Sequence, residues 1–579
     1  MSELTRITGK DAPLEESIAH LLDRLARHGF DIEEARWLNP VPHVWSVHIR
    51  DRRCPLLFTN GKGASRKAAL ASALGEFVER LSTNYFFADY YLGEDARRWP
   101  FAHYPQERWF PIEGEAVPAA LLDERLREHY DPEGELTADL LVDMNTGDRE
   151  RGICALPFTR EGDGATVWIP VNILGNLYVS NGLSAGNTRF EARTQALSEV
   201  FERHVKNRVI AEGLCLPDVP EHVLARFADV QRAIDALRAQ GYRVLVKDAS
   251  LGGRFPVMNV TLINPDNGGV FASFGAHPRL DVALERTLTE LLQGRDLNEL
   301  DVFQPPSLDL DEVADPHNLE THFIDSSGLI AWEFLADTPD YPFHDWNFSG
   351  DTQSEYAHLL ALVHANGGEV YVMDHAHLGV PACRLVVPGF SEIYPVDELV
   401  YNNNNAGIDL RAPLLNLDAL DENASATLLE TLDELGLDDM RPVAELLGLA
   451  ADPGSAWASL RVGELKALLA LTCQDMESAL DWVDWTLNVG HLSAARTRLY
   501  RCLQVLLRLQ LDEDRAPETL RPALLQVFGE ETLIEAEACL DGRLRFPGLH
   551  APTHALEGFA RHRCLLDAWA RLQEAKSTV

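Results

Sequence analysis

Three stretches of this chain place carboxylates at helical spacing with few basic residues among them. The clearest is NTRFEARTQALSEVFERHV, Asn187 to Val205. At ~100° per residue, a helix directs Glu191, Glu199 and Glu202 to within roughly 80° of one another. Carboxylates crowded in this way repel unless positive charge lies between them. Hard oxygen ligands drawn from several helices suit Mg²⁺, usually together with phosphate oxygens. A single amphipathic helix with Glu and Arg on its outer face is commonplace and would only be solvated. The weight of the reading comes from repetition.

GASRKAALASALGEFVER (Gly63 to Arg80) matches GNTRFEARTQALSEVFER (Gly186 to Arg203) at constant register, aligning Glu76 with Glu199, Glu79 with Glu202 and Arg80 with Arg203. A third segment, DVALERTLTELLQG, repeats the stripe more weakly. Ser72/Glu76/Glu79, Gln195/Glu199/Glu202 and Arg286/Glu290/Gln293 each stand at i, i+4 and i+7, on one helical face. The opposite faces are apolar, with Phe77, Phe201 and Leu288 among them. Both complete copies follow glycine-containing loops, which suggests an internally duplicated unit of strand, glycine loop and helix. The expected cation is magnesium held for a nucleotide. Arg80, Arg203 and Arg286, the Lys10 and Ser17 of ITGKDAPLEES, and the SAGN loop (Ser184, Ala185, Gly186, Asn187) could meet the phosphates. That loop opens a helix, whose free N–H groups and dipole favour anions. GxxxxGK[ST], the kinase signature set and HExxH are all absent, so any nucleotide is bound in another way and a zinc hydrolase is disfavoured.

The positioning elements are mixed. Helix-like FADVQRAIDALRAQG runs into strand-like YRVLVKDAS, and SEYAHLLALVHANGG into EVYVMDH. VMNVTLINPDNGGVFASFG and ICALPFTREGDGATVWIPV read as hairpins. His375 and His377 of MDHAHLG are read as structural or solvated. Beyond YNNNNAGIDLRAP the β-rich runs vanish and the pattern becomes helical, with Trp482 and Trp485 as core residues. The expectation is an α+β domain over residues 1–410 and an all-α, helical-repeat, tetratricopeptide-like domain over 411–579. A chain of 579 residues exceeds one core. The formal charge of −39 opposes direct nucleic-acid binding. The eight scattered cysteines fit a reducing cytoplasm, and no secretory signal or membrane-length apolar run is expected.

The segments SALGEFVER, SAGNTRFEARTQALSEVFER and ERTLTELLQ resemble those of the YcaO family. EEARWLNPVPHVWSVHIRD, THFIDSSGLIAWEF and DWNFSG extend the resemblance to the long members of that family, over essentially the whole chain. The resemblance implies a YcaO-type ATP- and Mg²⁺-binding fold without a Walker loop. By the same likeness Glu76, Glu79, Glu199, Glu202 and Glu290 match magnesium-site carboxylates, and Lys10, Ser17, Ser184, Ala185, Gly186, Asn187, Glu191, Arg203 and Arg286 match nucleotide contacts. Some members phosphorylate a backbone amide oxygen to form azolines or thioamides. The long members are linked instead to β-methylthiolation of an aspartate on the twelfth small-subunit ribosomal protein, as accessory to a radical-SAM methylthiotransferase. The ending RLQEAKSTV lacks the proline-rich tail of azoline formers and so disfavours that chemistry. Three functions remain in view: ATP-dependent activation of an amide or carboxylate, an ATP-gated docking module without chemistry of its own, or a plain scaffold whose acidic helices are only solvated. A homodimer through the helical domain is also expected.

Overall fold

The protein is described by a computed structural model covering residues 4–512, 514 and 517–577. Three antiparallel sheets carry the glutamate helices. The first joins β1 (Ile32–Val41), β2 (Val44–Asp51) and β3 (Phe58–Gly63) in that order. The largest contains β4 (Arg108–Phe110), β5 (Ile153–Arg160), β6 (Thr166–Pro170) and β7 (Leu183–Ala185). The third joins β8 (Arg243–Asp248), β9 (Val257–Ile263) and β10 (Val270–Ala276). β11 (Tyr371–His375) and β12 (Ala382–Val386) complete the largest sheet, in the order β4-β5-β11-β12-β7 with β6 paired to β5. Both hairpins expected from sequence form, β5 with β6 and β9 with β10.

Each sheet delivers one glutamate helix. Arg66–Ser82 follows β3, Arg189–Ala211 follows β7, and Leu280–Leu291 follows β10. The first two start alike. Ser65 and Thr188 occupy the N-cap in extended conformation, and their hydroxyls accept from Ala68 N and Glu191 N three residues on, which satisfies one otherwise unpaired helix donor. Glycine is needed just before each. A Cβ on Gly63 would lie 2.7 Å from Ala69 N, and one on Gly186 would lie 2.7 Å from Ala192 N. The strand therefore folds directly onto the first turn of its helix. The apolar faces pack as the stripe pattern requires: Leu74, Phe77 and Val78 are fully buried in one core, and Leu197, Val200 and Phe201 in another.

Among the described residues every element after Val386 is helical. Val462–Thr472, Met476–Val489 and Ala494–Leu511 stack in sequence around a Leu-rich core. Trp482, half-buried, packs against this core and meets the half-buried Trp485 edge to face at 6.1 Å, so the pair lies at its edge and not inside it as the sequence suggested. The C-terminal helix, Ala560–Ser577, leaves this core. Its Leu565, Trp569 and Leu572 join Leu74, Phe77 and Val78 of the first glutamate helix. Among the described residues no helix is long and apolar enough to cross a membrane.

Candidate functional site

A cavity of about 1240 Å³ lies between the three glutamate helices and the N-terminal segment. Every site residue expected from the sequence lines it. Glu76 and Glu79 come from the first helix, Glu191, Glu199, Glu202 and Arg203 from the second, and Arg286 and Glu290 from the third. Lys10 and Ser17 enter from the N-terminus, and Ser184, Ala185, Gly186 and Asn187 from β7 and the loop after it.

The carboxylates do not face one another bare. Glu76 pairs with Arg80 at 2.8 Å and Glu199 with Arg203 at 2.8 Å, each one helical turn apart. Arg80 lies over the Tyr85 ring at 4.3 Å and Arg203 over Phe323 at 4.4 Å. Glu290 contacts Lys62, which arrives from β3. Glu79 has no cation in salt-bridge contact among the described residues. Burial, reinforced by Glu199 and Glu76, holds its carboxyl well above the ordinary range despite Arg80 and Arg203 nearby. Burial, with Arg286 adding to it, lowers the Lys62 ammonium to about 8 against the pull of Glu202, Glu76 and Glu199.

Glu191 does a different job. It is buried and receives Lys10 Nζ at 3.2 Å, Asp11 N at 2.9 Å, and Asn187 Nδ2 at 3.1 and 2.9 Å on its two oxygens. Burial alone would raise its pKa. The charge of Lys10 and these donors outweigh burial, and the carboxyl sits below its usual range. Ser17 Oγ donates to Asn187 Oδ1 at 2.8 Å. The N-terminal strap is thereby stitched to the SAGN loop. Arg286 donates to Gln195 Oε1 at 2.5 Å and so ties the third helix to the second.

The donor set suits magnesium: hard carboxylates from three helices around a cavity that also holds guanidinium and ammonium groups for phosphate. Among the described residues, no three of His, Cys, Asp or Glu converge on one point as a ready-made metal cage. Glu76, Glu199 and Glu290 turn to Arg80, Arg203 and Lys62 rather than to one another. Sequence reasoning missed Lys62 and Lys206. Lys206 continues the Gln195/Glu199/Glu202 stripe by one turn, a position that was legible. Its Nζ donates to His322 O at 2.6 Å and Ser326 Oγ at 2.8 Å, and burial brings its pKa to about 7. Lys62 stands in TNGKGAS on a strand, where helical periodicity gives no cue. His375 and His377 are structural, as expected: His375 stacks on Tyr104 at 4.8 Å, and burial drives both well below the ordinary histidine range.

The family model for YcaO cyclodehydratase, described as ATP- and Mg²⁺-binding, matches residues 60–391, and the model for the YcaO cyclodehydratase C-terminal domain matches residues 407–578. The chain belongs to the YcaO family. It is 56% identical over 578 residues, covering 99% of both chains, to the ribosomal protein S12 methylthiotransferase accessory factor YcaO of Escherichia coli. It is 53% identical, covering 100% of this chain and 99% of the other, to an uncharacterized protein of Haemophilus influenzae. Among solved structures, it is similar to YcaO from Methanopyrus kandleri bound with AMPPCP and Mg²⁺, at 19% identity and TM-score 0.40, covering 70% of this chain and 97% of that one. A heterocyclase in complex with substrate and cofactor matches at 15% identity and TM-score 0.45, covering 68% of this chain and 56% of that one.

Proposed function

We propose that this chain binds ATP with Mg²⁺ in the large cavity and serves as an accessory factor in methylthiolation of ribosomal protein S12, in line with its relative from Escherichia coli. The observation that carries the nucleotide reading is the pairing just described. Glutamates from three helices line one cavity, and most are held by cations that the cavity itself supplies. Glu76, Glu79, Glu199, Glu202 and Glu290 would hold the metal, while Lys10, Ser17, Glu191, Arg203, Arg286 and the 184–187 loop would meet the nucleotide. Bound Mg²⁺ would supply charge neutralisation for a transferring phosphoryl group. Arg80, Arg203 and Lys62 can serve the same end, because each ion pair that opens toward a phosphate frees one carboxylate and one cation together. No side-chain nucleophile is needed if an amide or carboxylate of the acceptor is activated by phosphorylation.

A docking reading has its own support. The C-terminal helix shares a hydrophobic core with the helix of Glu76 and Glu79, so nucleotide at one face could order a partner surface at the other. The partner would then be a radical-SAM methylthiotransferase or the ribosomal protein itself. In this reading the glutamate units are duplicated copies, the nucleotide domain spans residues 1–410, and residues 411–579 form a tetratricopeptide-like dimerising domain. The eight cysteines, none in a disulfide, fit a cytoplasmic protein.

Calorimetry with ATP and Mg²⁺ tests the site. Wild type should bind only with the metal present, and Glu199→Ala should weaken binding by at least tenfold. Equal binding by the variant would remove Glu199 from the metal site. Steady phosphate release with acceptor present marks an enzyme, whereas binding without release marks a docking module.

A further inference from the structure

A second cavity, about 760 Å³, adjoins the first. Its volume lies in the range of small-ligand sites. Tyr85, Phe323 and Ile324 line both cavities. Two of these are the rings beneath Arg80 and Arg203, so the shared wall stands beside the carboxylate–arginine pairs of the nucleotide cavity.

Arg384, from β12, lines the second cavity and is only 9% exposed. Its Nη2 donates to Leu174 O at 3.2 Å and Val179 O at 2.8 Å, and its Nε has no acceptor. No carboxylate among the described residues pairs with it. A buried cation without a counter-ion is uncommon, because desolvation of the charge goes unopposed. Burial accordingly brings its pKa down to about 10, with only the tyrosines Tyr104, Tyr85 and Tyr178 opposing. A second buried cation lies close behind. Lys576 Nζ donates to Asn84 Oδ1 at 2.6 Å and His103 O at 2.8 Å, both on residues of the cavity lining, again without a carboxylate. The backbone that Arg384 holds is unusual too. Leu174–Tyr178 forms a π-helical turn, and Val179 follows at φ +50°, a conformation that a β-branched residue rarely adopts.

We propose that this second cavity is the acceptor site and binds a peptide through a side-chain carboxylate seated at Arg384. The inference rests on the nucleotide reading of the neighbouring cavity. A single carboxylate fits better than a phosphate. The guanidiniums of Arg384 and Arg441 line the cavity together with Asp89, Asp143, Asp315, Glu320 and Glu398, and these carboxylates repel a multiply charged anion more than a singly charged one. Asn402 and Asn404 also line the wall, and side-chain amides suit peptide groups, which offer both a donor and an acceptor.

The test uses the full chain and a pair of blocked dipeptide-like probes, N-acetyl-aspartate N-methylamide and its asparagine counterpart, with inorganic phosphate as a third. Calorimetry should detect the aspartate probe alone, and Arg384→Met should weaken it about ten- to a hundredfold. Arg384→Lys should restore part of the binding. Because Arg384→Met removes two hydrogen bonds to backbone and could disturb folding, hydrogen exchange on wild type provides an independent measurement. The aspartate probe should slow exchange in segments 171–179 and 382–386, and the asparagine probe should not. Equal binding of both probes, phosphate binding without the aspartate probe, or no protection of those segments each overturns the proposal. Binding of ATP and Mg²⁺ to wild type, measured separately, distinguishes the two readings: a chain that takes the aspartate probe but no nucleotide keeps this site and loses the function proposed for its neighbour.

Discussion

Glu191→Gln isolates the force that holds the N-terminal strap, residues 5–13, over the nucleotide cavity. The wild-type carboxylate is 3% exposed and gathers Lys10, Asp11 N and Asn187. Glutamine keeps the shape and one acceptor oxygen. It loses the charge and turns an NH₂ group toward donors. Hydrogen bonds to a charged group contribute about 1.5–3 kcal/mol each, and the contribution of Lys10 sits at the low end because that side chain is 34% exposed. A net loss of about 2–3 kcal/mol for the strap corresponds to roughly thirty- to a hundred-and-fiftyfold more frequent local opening. Other anchors remain: Thr352 Oγ1 still donates to Asp11 at 2.9 Å and Leu14 N to Thr5 O at 2.9 Å. The rest of the fold should therefore be unaffected. Hydrogen exchange read by mass spectrometry should show faster exchange in residues 5–13 by that factor and little change elsewhere. The pH dependence has a defined sign. The folded carboxyl lies below its ordinary 4.5, so its contribution is present above that value and lost as pH falls through the lower folded one. Acidified wild type should then open its strap as the variant does at neutral pH. Variant and wild type exchanging alike in this segment would refute the reasoning.

Two more outcomes follow from buried groups. Burial raises the Glu355 carboxyl to about 7 from 4.5, and its Oε2 has no hydrogen-bond partner. The stability tied to its bound proton is complete below the unfolded value and lost as pH rises through about 7. Denaturant titrations should show stability falling between pH 5 and 8, and Glu355→Gln should flatten part of that slope; an unchanged slope assigns it elsewhere. Cys54 and Cys564 have sulfurs 3.2 Å apart, across the contact between the N-terminal core and the C-terminal helix. Diamide should remove two hydrogens and join them, seen as one cross-linked peptide by mass spectrometry, and slowly, because burial of Cys54 keeps its thiol protonated. Pairing of either residue with another cysteine would contradict this placement of the C-terminal helix.

The glutamate stripes, both hairpins and the change to helical texture at YNNNNAGIDLRAP were legible in the chain, because each depends on spacings of a few residues. Periodicity of 3.6 or 2 is a local property. Partnerships were not legible at that range. Lys62 reaches Glu290, Lys10 reaches Glu191, and Lys576 reaches Asn84, only because packed sheets bring distant segments together. The second cavity left no pattern at all. Arg384 sits among apolar strand neighbours, and an unpaired charge is defined by what three-dimensional packing fails to put beside it. Local sequence thus determined which faces carry carboxylates, while the tertiary structure decided which cations answer them, since burial and counter-charge arise from approach in space and not from order along the chain.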